Sequence, residues 1–505
     1  MKNVSSKVNN EQYFSTDHLK ADLKGRSVRG GAVTMAAQIS KFIFQMGSTV
    51  VLARLLVPED YGLIGMVTVV IGFAELFKDL GLSTATIQKA EINHKQVSTL
   101  FWINFAISCV TGLVVAGLAP VVAWFYKEPR LTWITLALAS SFVLGGLTVQ
   151  HQALLKRQMS FTSLAKIEIT SMLAGVVTAI ISAWYGFGYW ALVLMQIMIA
   201  IANAVGVWIA CNWRPGVPLR RSGIRSMLAF GGNITGFNLV NYFSRNLDNV
   251  LIGQYWGPQE LGLYAQAYKL VLLPINQINA PITSVALPAL SSLQSEPEKY
   301  SKFFYKAILS ISTLGMPMLG FLLACADKVI LTLLGQQWLG AVIIFQFLMP
   351  AALNATIGVG MGWVYQSLGM VDRQLRWGIV SSILNVILFV IGVRWGAIGV
   401  AAAYGLSRPF FLVAGFAYCF KGTPLRLKEL AKTLFQPAFA SIGAAVVLIG
   451  INKLFLAGIN NDVIALLIDF IFYCLLYFGI WIVLPNGRST LFEMLQIAKT
   501  LKQKV

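Results

Sequence analysis

The sequence predicts an all-α integral membrane protein of about fourteen transmembrane helices, built as two pseudo-symmetric six-helix lobes followed by a C-terminal helix pair. Three observations carry this reading. The 505 residues are 57% hydrophobic and only 12% charged, with a mean hydropathy of +0.70, whereas soluble domains carry about a quarter charged residues. Apolar runs of roughly eighteen residues or more recur between short polar breaks. The basic residues fall on alternate breaks, as membrane topology requires.

The elements follow in order. Residues 1–28 are polar and basic (Lys2, Lys7, Lys20, Lys24, Arg26) with no apolar signal core, so a cytoplasmic tail is expected and the first apolar segment stays as an anchor. Segments 29–56, 61–82, 99–125, 131–155, 161–185 and 187–212 form an N-lobe, 29–212. The stretch 213–225, rich in Pro, Gly and Arg, reads as a cytoplasmic linker. Segments 226–252, 261–290, 303–326, 341–366, 377–395 and 396–420 form a C-lobe, 226–420. A pair at 433–456 and 462–484 closes the membrane part (433–484), and 485–505 is a second basic cytoplasmic tail. The five cysteines include no CxxC pair and read as small buried side chains, not as a disulfide or zinc framework.

Charge placement tests the count. With both termini inside, the cytoplasmic tails and even connections collect twenty-six Lys/Arg. The odd connections hold six: Arg54, Lys127, Arg130, Lys328, Arg394 and Lys453. This positive-inside asymmetry accounts for the net charge of +19 without nucleic acid as a partner.

The chain also repeats itself. Lys41-Phe-Ile-Phe-Gln45, leading to Pro58-Glu-Asp-Tyr-Gly62-Leu63, lies without gaps on Asn241-Tyr-Phe-Ser-Arg245, leading to Pro258-Gln-Glu-Leu-Gly262-Leu263, at an offset of 200 residues. Ser98-Thr-Leu-Phe101-Trp102 recurs in the same order as Ser301-Lys-Phe-Phe304-Tyr305. Six spans per half give both halves one orientation, a parallel repeat with substrate expected between the lobes.

Seven cations lie inside the apolar segments: Lys41, Lys78, Lys166, Arg245, Lys269, Lys306 and Arg408. Lys78 and Lys306, near cytoplasmic ends, can snorkel, and Lys166 is ambiguous for the same reason. A deep cation costs about 2.5–3.5 kcal/mol on insertion scales, so Lys41, Arg245, Lys269 and Arg408 should face a polar interior. Thr34, Gln38, Lys41, Gln45 and Ser48 share a helical stripe on the first segment. Asn238, Asn241, Arg245 and Asp248 share one on the seventh, and Gln266, Lys269 and Asn276 one on the eighth. Cations in a low-dielectric cavity attract anions, and amides add hydrogen bonds to hydroxyls or phosphates. Lys41, Gln45, Asn241, Arg245, Lys269 and Arg408 are therefore the candidate substrate ligands. The plainer alternatives are interhelical amide bonds, a buried ion pair for Arg408, and a kink at Pro409. Asp248 is the candidate coupling carboxylate, ahead of Glu75, Asp79 and Glu168; an i,i+3 ion pair with Arg245 is its simpler role. Tyr242, Tyr255, Trp256, Tyr264 and Tyr268 could stack on sugars, although interfacial belts use the same residues.

No Walker A pattern occurs, the three His (His18, His94, His151) are scattered, and no outer connection is long enough for a catalytic domain. Neither metal nor cofactor is expected, and transport must draw on a gradient, the potential or product removal.

Val-Leu-Ala-Arg54-Leu-Leu-Val-Pro58-Glu-Asp-Tyr-Gly62-Leu, Asp79-Leu-Gly81-Leu-Ser-Thr-Ala-Thr-Ile-Gln88, and Gly262-Leu-Tyr264-Ala-Gln-Ala-Tyr268-Lys-Leu with Pro274 following resemble the polysaccharide-transport branch of the multidrug/oligosaccharidyl-lipid/polysaccharide exporter superfamily. Wzx-type repeat-unit flippases of the colanic-acid-exporter kind are the nearest likeness, and it covers nearly the whole chain from about Arg29. The resemblance implies a V-shaped, MATE-like two-lobe fold working by alternating access in the bacterial inner membrane. It implies an undecaprenyl-diphosphate-linked oligosaccharide as substrate, membrane lipids around it, and a polymerase and chain-length regulator as partners. The family does not assign Lys41, Arg245 and Lys269 one by one. Alternatives are a drug or metabolite antiporter of the same superfamily, with twelve spans and a carboxylate-centred cation site, a lipid II flippase, and a membrane glycosyltransferase or polymerase.

Overall fold

A computed structural model describes residues 14, 23–79, 82–89, 92–218, 225–454, 462–485 and 487–492; over 225–241 the description is of the backbone alone. Every long regular element in them is an α-helix: α1 Leu23–Leu55, α2 Pro58–Asp79, α3 Leu82–Gln88, α4 His94–Tyr126, α5 Arg130–Gly146, α6 Val149–Arg157, α7 Phe161–Trp184, α8 Trp190–Ala210, α9 Arg225–Ser292, α10 Pro297–Ala324, α11 Ala326–Leu334, α12 Ala341–Ile357, α13 Val359–Ser367, α14 Val371–Gly392, α15 Gly396–Phe420, α16 Leu427–Leu454 and α17 Asp462–Val483. In a bilayer a helix satisfies its own backbone, so this is the expected solution for so apolar a chain.

Ten described helical stretches are long and apolar enough to cross a bilayer, or eleven with the pair α5–α6, bent by 41° at its break, taken as one span. Fourteen were expected, and the difference has physical reasons. The polar stripe of α1 lowers its apolarity. Arg245–Ser292 has 48 residues and Val371–Phe420 has 50, each about 70 Å of helix against roughly 30 Å of hydrocarbon. The whole of α9, Arg225–Ser292, and the Val371–Phe420 stretch are each broken near the middle. Gly257 interrupts α9 at φ 82° and ψ −175°, a conformation that a side chain would strain. A 3-10 turn at Val393–Trp395, ending at Gly396 with φ 72°, separates α14 from α15.

Local signals place the other ends. At α4 the Asn93 side chain accepts from the Gln96 N–H at 2.9 Å while Gln96 accepts from the Asn93 N–H at 3.3 Å, a capping box that satisfies otherwise orphaned donors.

The chain divides into two compact units, Met1–Gly262 and Leu263–Val505. The division falls inside α9, not in the 213–225 stretch. In the first unit α1 packs on α7, α4 on α5, and α7 on α8. The start of 213–225 is anchored there: Trp213 is fully buried and donates to His94 Nδ1 at 3.0 Å, and Trp102 donates to the Gly216 carbonyl at 2.8 Å. In the second unit α12 and α14 pack on α15, and α10 packs on α16. Ala440, Ala444, Leu448, Tyr473, Tyr477 and Trp481 join the C-terminal pair to Cys325 and Val329 in one core cluster.

The sequence repeat has a structural counterpart. A Cβ on Gly62 would lie 1.7 Å from the Pro258 carbonyl oxygen, and one on Gly262 would lie 1.8 Å from the Pro58 carbonyl oxygen. Each motif presents its glycine to the other's proline carbonyl, so only a residue without a side chain fits either position. Both contacts lie within the first unit.

Candidate functional site

In the first unit, α1 carries Lys41 toward α7, and its Nζ pairs with Glu168 Oε2 at 2.8 Å, the side chains being 32% and 46% exposed. One of the ammonium's donors is thus committed and the others stay available. Gln45, one turn on, is half-buried, and its carbonyl accepts from Ser48 and Thr49. Arg245, on the first half of α9, is exposed. Asp248 is 5% exposed and accepts from the Asn249 N–H at 2.8 Å; among the described residues no ion pair links it to Arg245. The side chains of Asn238, Asn241 and Asp79 lie outside the described residues, and Glu75 is exposed.

The aromatic candidates separate. Tyr242 donates to the Val69 carbonyl at 2.7 Å and lies against Gly72, where a Cβ would come within 2.5 Å of its hydroxyl. It is a packing residue between α9 and α2, not an open platform. Tyr255 and Trp256, 69% and 46% exposed, flank the Gly257 break as belt residues do.

The second unit assembles a denser constellation. Arg408 on α15 is 7% exposed. Its guanidinium lies 3.8 Å from the Tyr404 ring centroid and 5.0 Å from that of Phe411, and it donates to Asn385 Oδ1 on α14 at 2.5 Å. Tyr404 also meets Tyr268 at 6.2 Å between centroids, and Tyr268 stacks on the fully buried Tyr264 at 6.0 Å. Lys269, next to Tyr268 on α9, is half-buried. Arg408 is thereby joined to Tyr268 and Tyr264 on α9 through one tyrosine wall.

The ion-pair alternative for Arg408 is not what forms: among the described residues no carboxylate pairs with it, and its Nε is buried without a hydrogen-bond partner. Ring faces offset part of the desolvation of a guanidinium but accept no N–H bond in its plane. Among the described residues Arg408 is a buried cation with neutral partners and one unmet donor. Two of its neighbours went unnoticed in the sequence. Tyr404 stands four positions before Arg408 on one helical face, and Asn385 is a lone amide in an apolar stretch; either signal could have been read.

Residues 51–343 match the model of a family described as polysaccharide biosynthesis protein. The lipopolysaccharide biosynthesis protein WzxC of Escherichia coli (strain K12) is 24% identical over 84% of this chain and 87% of its own length. The teichuronic acid biosynthesis protein TuaB of Bacillus subtilis (strain 168) is 26% identical over 75% of this chain and 79% of its own. Among solved structures, the lipid II flippase MurJ in an inward closed conformation superposes with a TM-score of 0.70 at 14% identity, covering 90% of this chain and 98% of that one. An inward-facing multidrug resistance MATE family transporter of the MOP superfamily gives 0.58 at 15% identity, covering 77% and 95%. The two structures show a shared fold.

Proposed function

The chain belongs to the polysaccharide biosynthesis protein family, and from that premise we propose that it is a Wzx-type flippase. It turns undecaprenyl-diphosphate-linked oligosaccharide repeat units from the cytoplasmic to the periplasmic leaflet of the bacterial inner membrane, by alternating access. The excess of basic residues on alternate connections supports cytoplasmic termini, and the names of the relatives support a polysaccharide pathway. A polymerase and a chain-length regulator are the expected partners.

The observation that carries the reading is Arg408, a buried guanidinium with no counter-ion among the described residues and an unsatisfied Nε–H. A diphosphate supplies both the charge and the acceptor, and the planar fork suits phosphate oxygens. Tyr404 holds the guanidinium by its face and Asn385 fixes one end; Lys269 on α9 is the second cation of this unit assigned to substrate. Tyr268 offers a ring to the sugars. Within the first unit, Lys41, Gln45, Asn241 and Arg245 are the proposed anion and hydroxyl ligands. Lys41 is there already paired with Glu168, and its remaining N–H donors are the ones open to a ligand.

Binding of undecaprenyl diphosphate to the protein in nanodiscs, against unphosphorylated undecaprenol, tests this. Wild type should prefer the diphosphate, and Arg408→Ala should weaken it at least tenfold, about 1.4 kcal/mol, with surface polysaccharide lost in cells at normal insertion. Equal binding of the two lipids, or normal surface glycan with Arg408→Ala, would refute the assignment.

A further inference from the structure

The first unit holds a cleft of about 560 Å³ where the end of α4 turns into α5 beside the first half of α9, and none of its residues is among those assigned to substrate. Trp124, Phe125 and Lys127 line it from α4 and its cap, Pro129 and Thr132 from the start of α5, and Gln254 from α9. Its size falls within the range of small-ligand sites, roughly 300–1,000 Å³. Gly253 brings α9 this close: a Cβ there would lie 2.9 Å from the ring of the buried Tyr126, so the missing side chain lets Gln254 reach the end of α4.

Three features of the cleft are not used up by packing. Trp124 and Phe125 are 77% and 39% exposed. Lys127 is exposed and caps α4 in the left-handed region, φ 56° and ψ 33°, where glycine is the usual occupant. A long side chain kept there at a steric cost points to a use for that side chain. Its acidic neighbours are taken, since Arg130 pairs with both Glu128 and Glu59, and among the described residues no carboxylate pairs with Lys127. Gln254 is half-buried, and its Oε1 has no hydrogen-bond partner among the described residues. With no bond there to break, the carboxamide is able to turn either end, donor or acceptor, to a ligand.

A tryptophan of the interfacial belt needs only an apolar slab and a wet edge. An unpaired cation and an unmet amide in the same cleft go beyond that need. The exposed rings suit the apolar face of a pyranose, the Gln254 amide and the Thr132 hydroxyl suit its hydroxyls, and Lys127 suits a carboxylate carried on the ring. We propose that this cleft binds an acidic sugar, a pyranose bearing a carboxylate. As a saccharide site it stands alone. As a subsite for the repeat unit it rests on the proposed function, and it then makes the translocated glycan an acidic one. The α4–α5 connection is one of the odd, outer connections of the charge pattern, so the sugar is held where a turned-over unit emerges.

Saturation-transfer NMR on the full-length protein in phosphatidylcholine nanodiscs, with methyl glucuronide and methyl glucoside as probes, tests the site. Wild type should bind the glucuronide at least about tenfold more tightly than the glucoside, as one charge-assisted contact predicts. Lys127→Gly gives the left-handed position its preferred residue, so it should melt at or above wild type and lose that preference. Trp124→Ala should lose both sugars. Neither sugar bound by folded wild type, equal binding of the two, or an undiminished preference in Lys127→Gly overturns the proposal. An anionic lipid headgroup is the competing occupant. If nanodiscs containing phosphatidylglycerol show that lipid retained by wild type and not by Lys127→Gly, with no glucuronide bound in phosphatidylcholine, the cleft belongs to lipid and the proposal falls. Undecaprenyl diphosphate binding, read on the same nanodiscs, separates this site from the flippase reading. Its absence beside bound glucuronide sinks the flippase and leaves the sugar site, and the reverse result sinks the sugar site alone.

Discussion

The crossing of the two repeat motifs gives a sharp prediction, because the obstacle is backbone and not a movable side chain. In Gly62→Ala the new methyl would sit 1.7 Å from the Pro258 carbonyl oxygen, whereas carbon and oxygen in close contact normally stand about 3.3–3.6 Å apart. The two helices must therefore separate by roughly 1.6 Å at the crossing, undoing packing on both sides. Overpacking costs typically 1–3 kcal/mol, and the upper end applies where neither partner can rotate away. Alanine returns about 1 kcal/mol of helix propensity, leaving a net loss near 2 kcal/mol. Gly262→Ala, at 1.8 Å from the Pro58 carbonyl oxygen, should cost the same, and the double variant much less than twice as much, because one displacement serves both. The assay is thermal unfolding in lipid or mild detergent, with Gly117→Ala as control, since a Cβ on Gly117 of α4 meets nothing within 4 Å. If Gly62→Ala melts with Gly117→Ala at or above wild type, the reciprocal clamp is wrong.

Three further outcomes follow from contacts already described or adjacent to them. Glu168→Gln should destabilise more than the double Lys41→Met/Glu168→Gln, because the single change strands a charge; a coupling of about 1 kcal/mol is expected for so exposed a pair, and strictly additive melting shifts would deny that the pair matters. Arg157, 6% exposed, donates to the carbonyls of Phe14, Thr86, Ile87 and Lys89. Arg157→Ala leaves buried acceptors unmet at roughly 1–3 kcal/mol each and should speed hydrogen exchange over Thr86–Lys89; unchanged protection there would refute the clamp. In the α4–α5 connection Arg130 bonds both Glu128 and Glu59, and its hydrogen bond holds the Glu128 carboxyl below the usual range despite burial. Glu128 therefore stabilises the fold above its ordinary value near 4.5 and loses that contribution as pH falls through its lowered one. Melting against pH should drop on the acid side in wild type and flatten in Glu128→Gln; identical acid limbs would contradict this.

Composition alone determined that the chain is a membrane protein of packed helices, since so few charges and such long apolar runs leave the backbone no other way to satisfy itself. The repeat was legible too, because a glycine that must admit another backbone cannot drift, and Gly62 and Gly262 hold corresponding places. The count of charges left inside apolar segments found the buried arginine at 408 but not its surroundings. Lys41 meets Glu168 from 127 residues away and Asp469 meets Lys328 from 141; no periodicity along one helix encodes which neighbour it will touch. Tyr242 looked like a sugar platform until Gly72 was seen beneath it. Period and polarity are local properties of a strand of sequence, whereas the partner of a charge, and whether it has one, is decided only when distant helices are packed together.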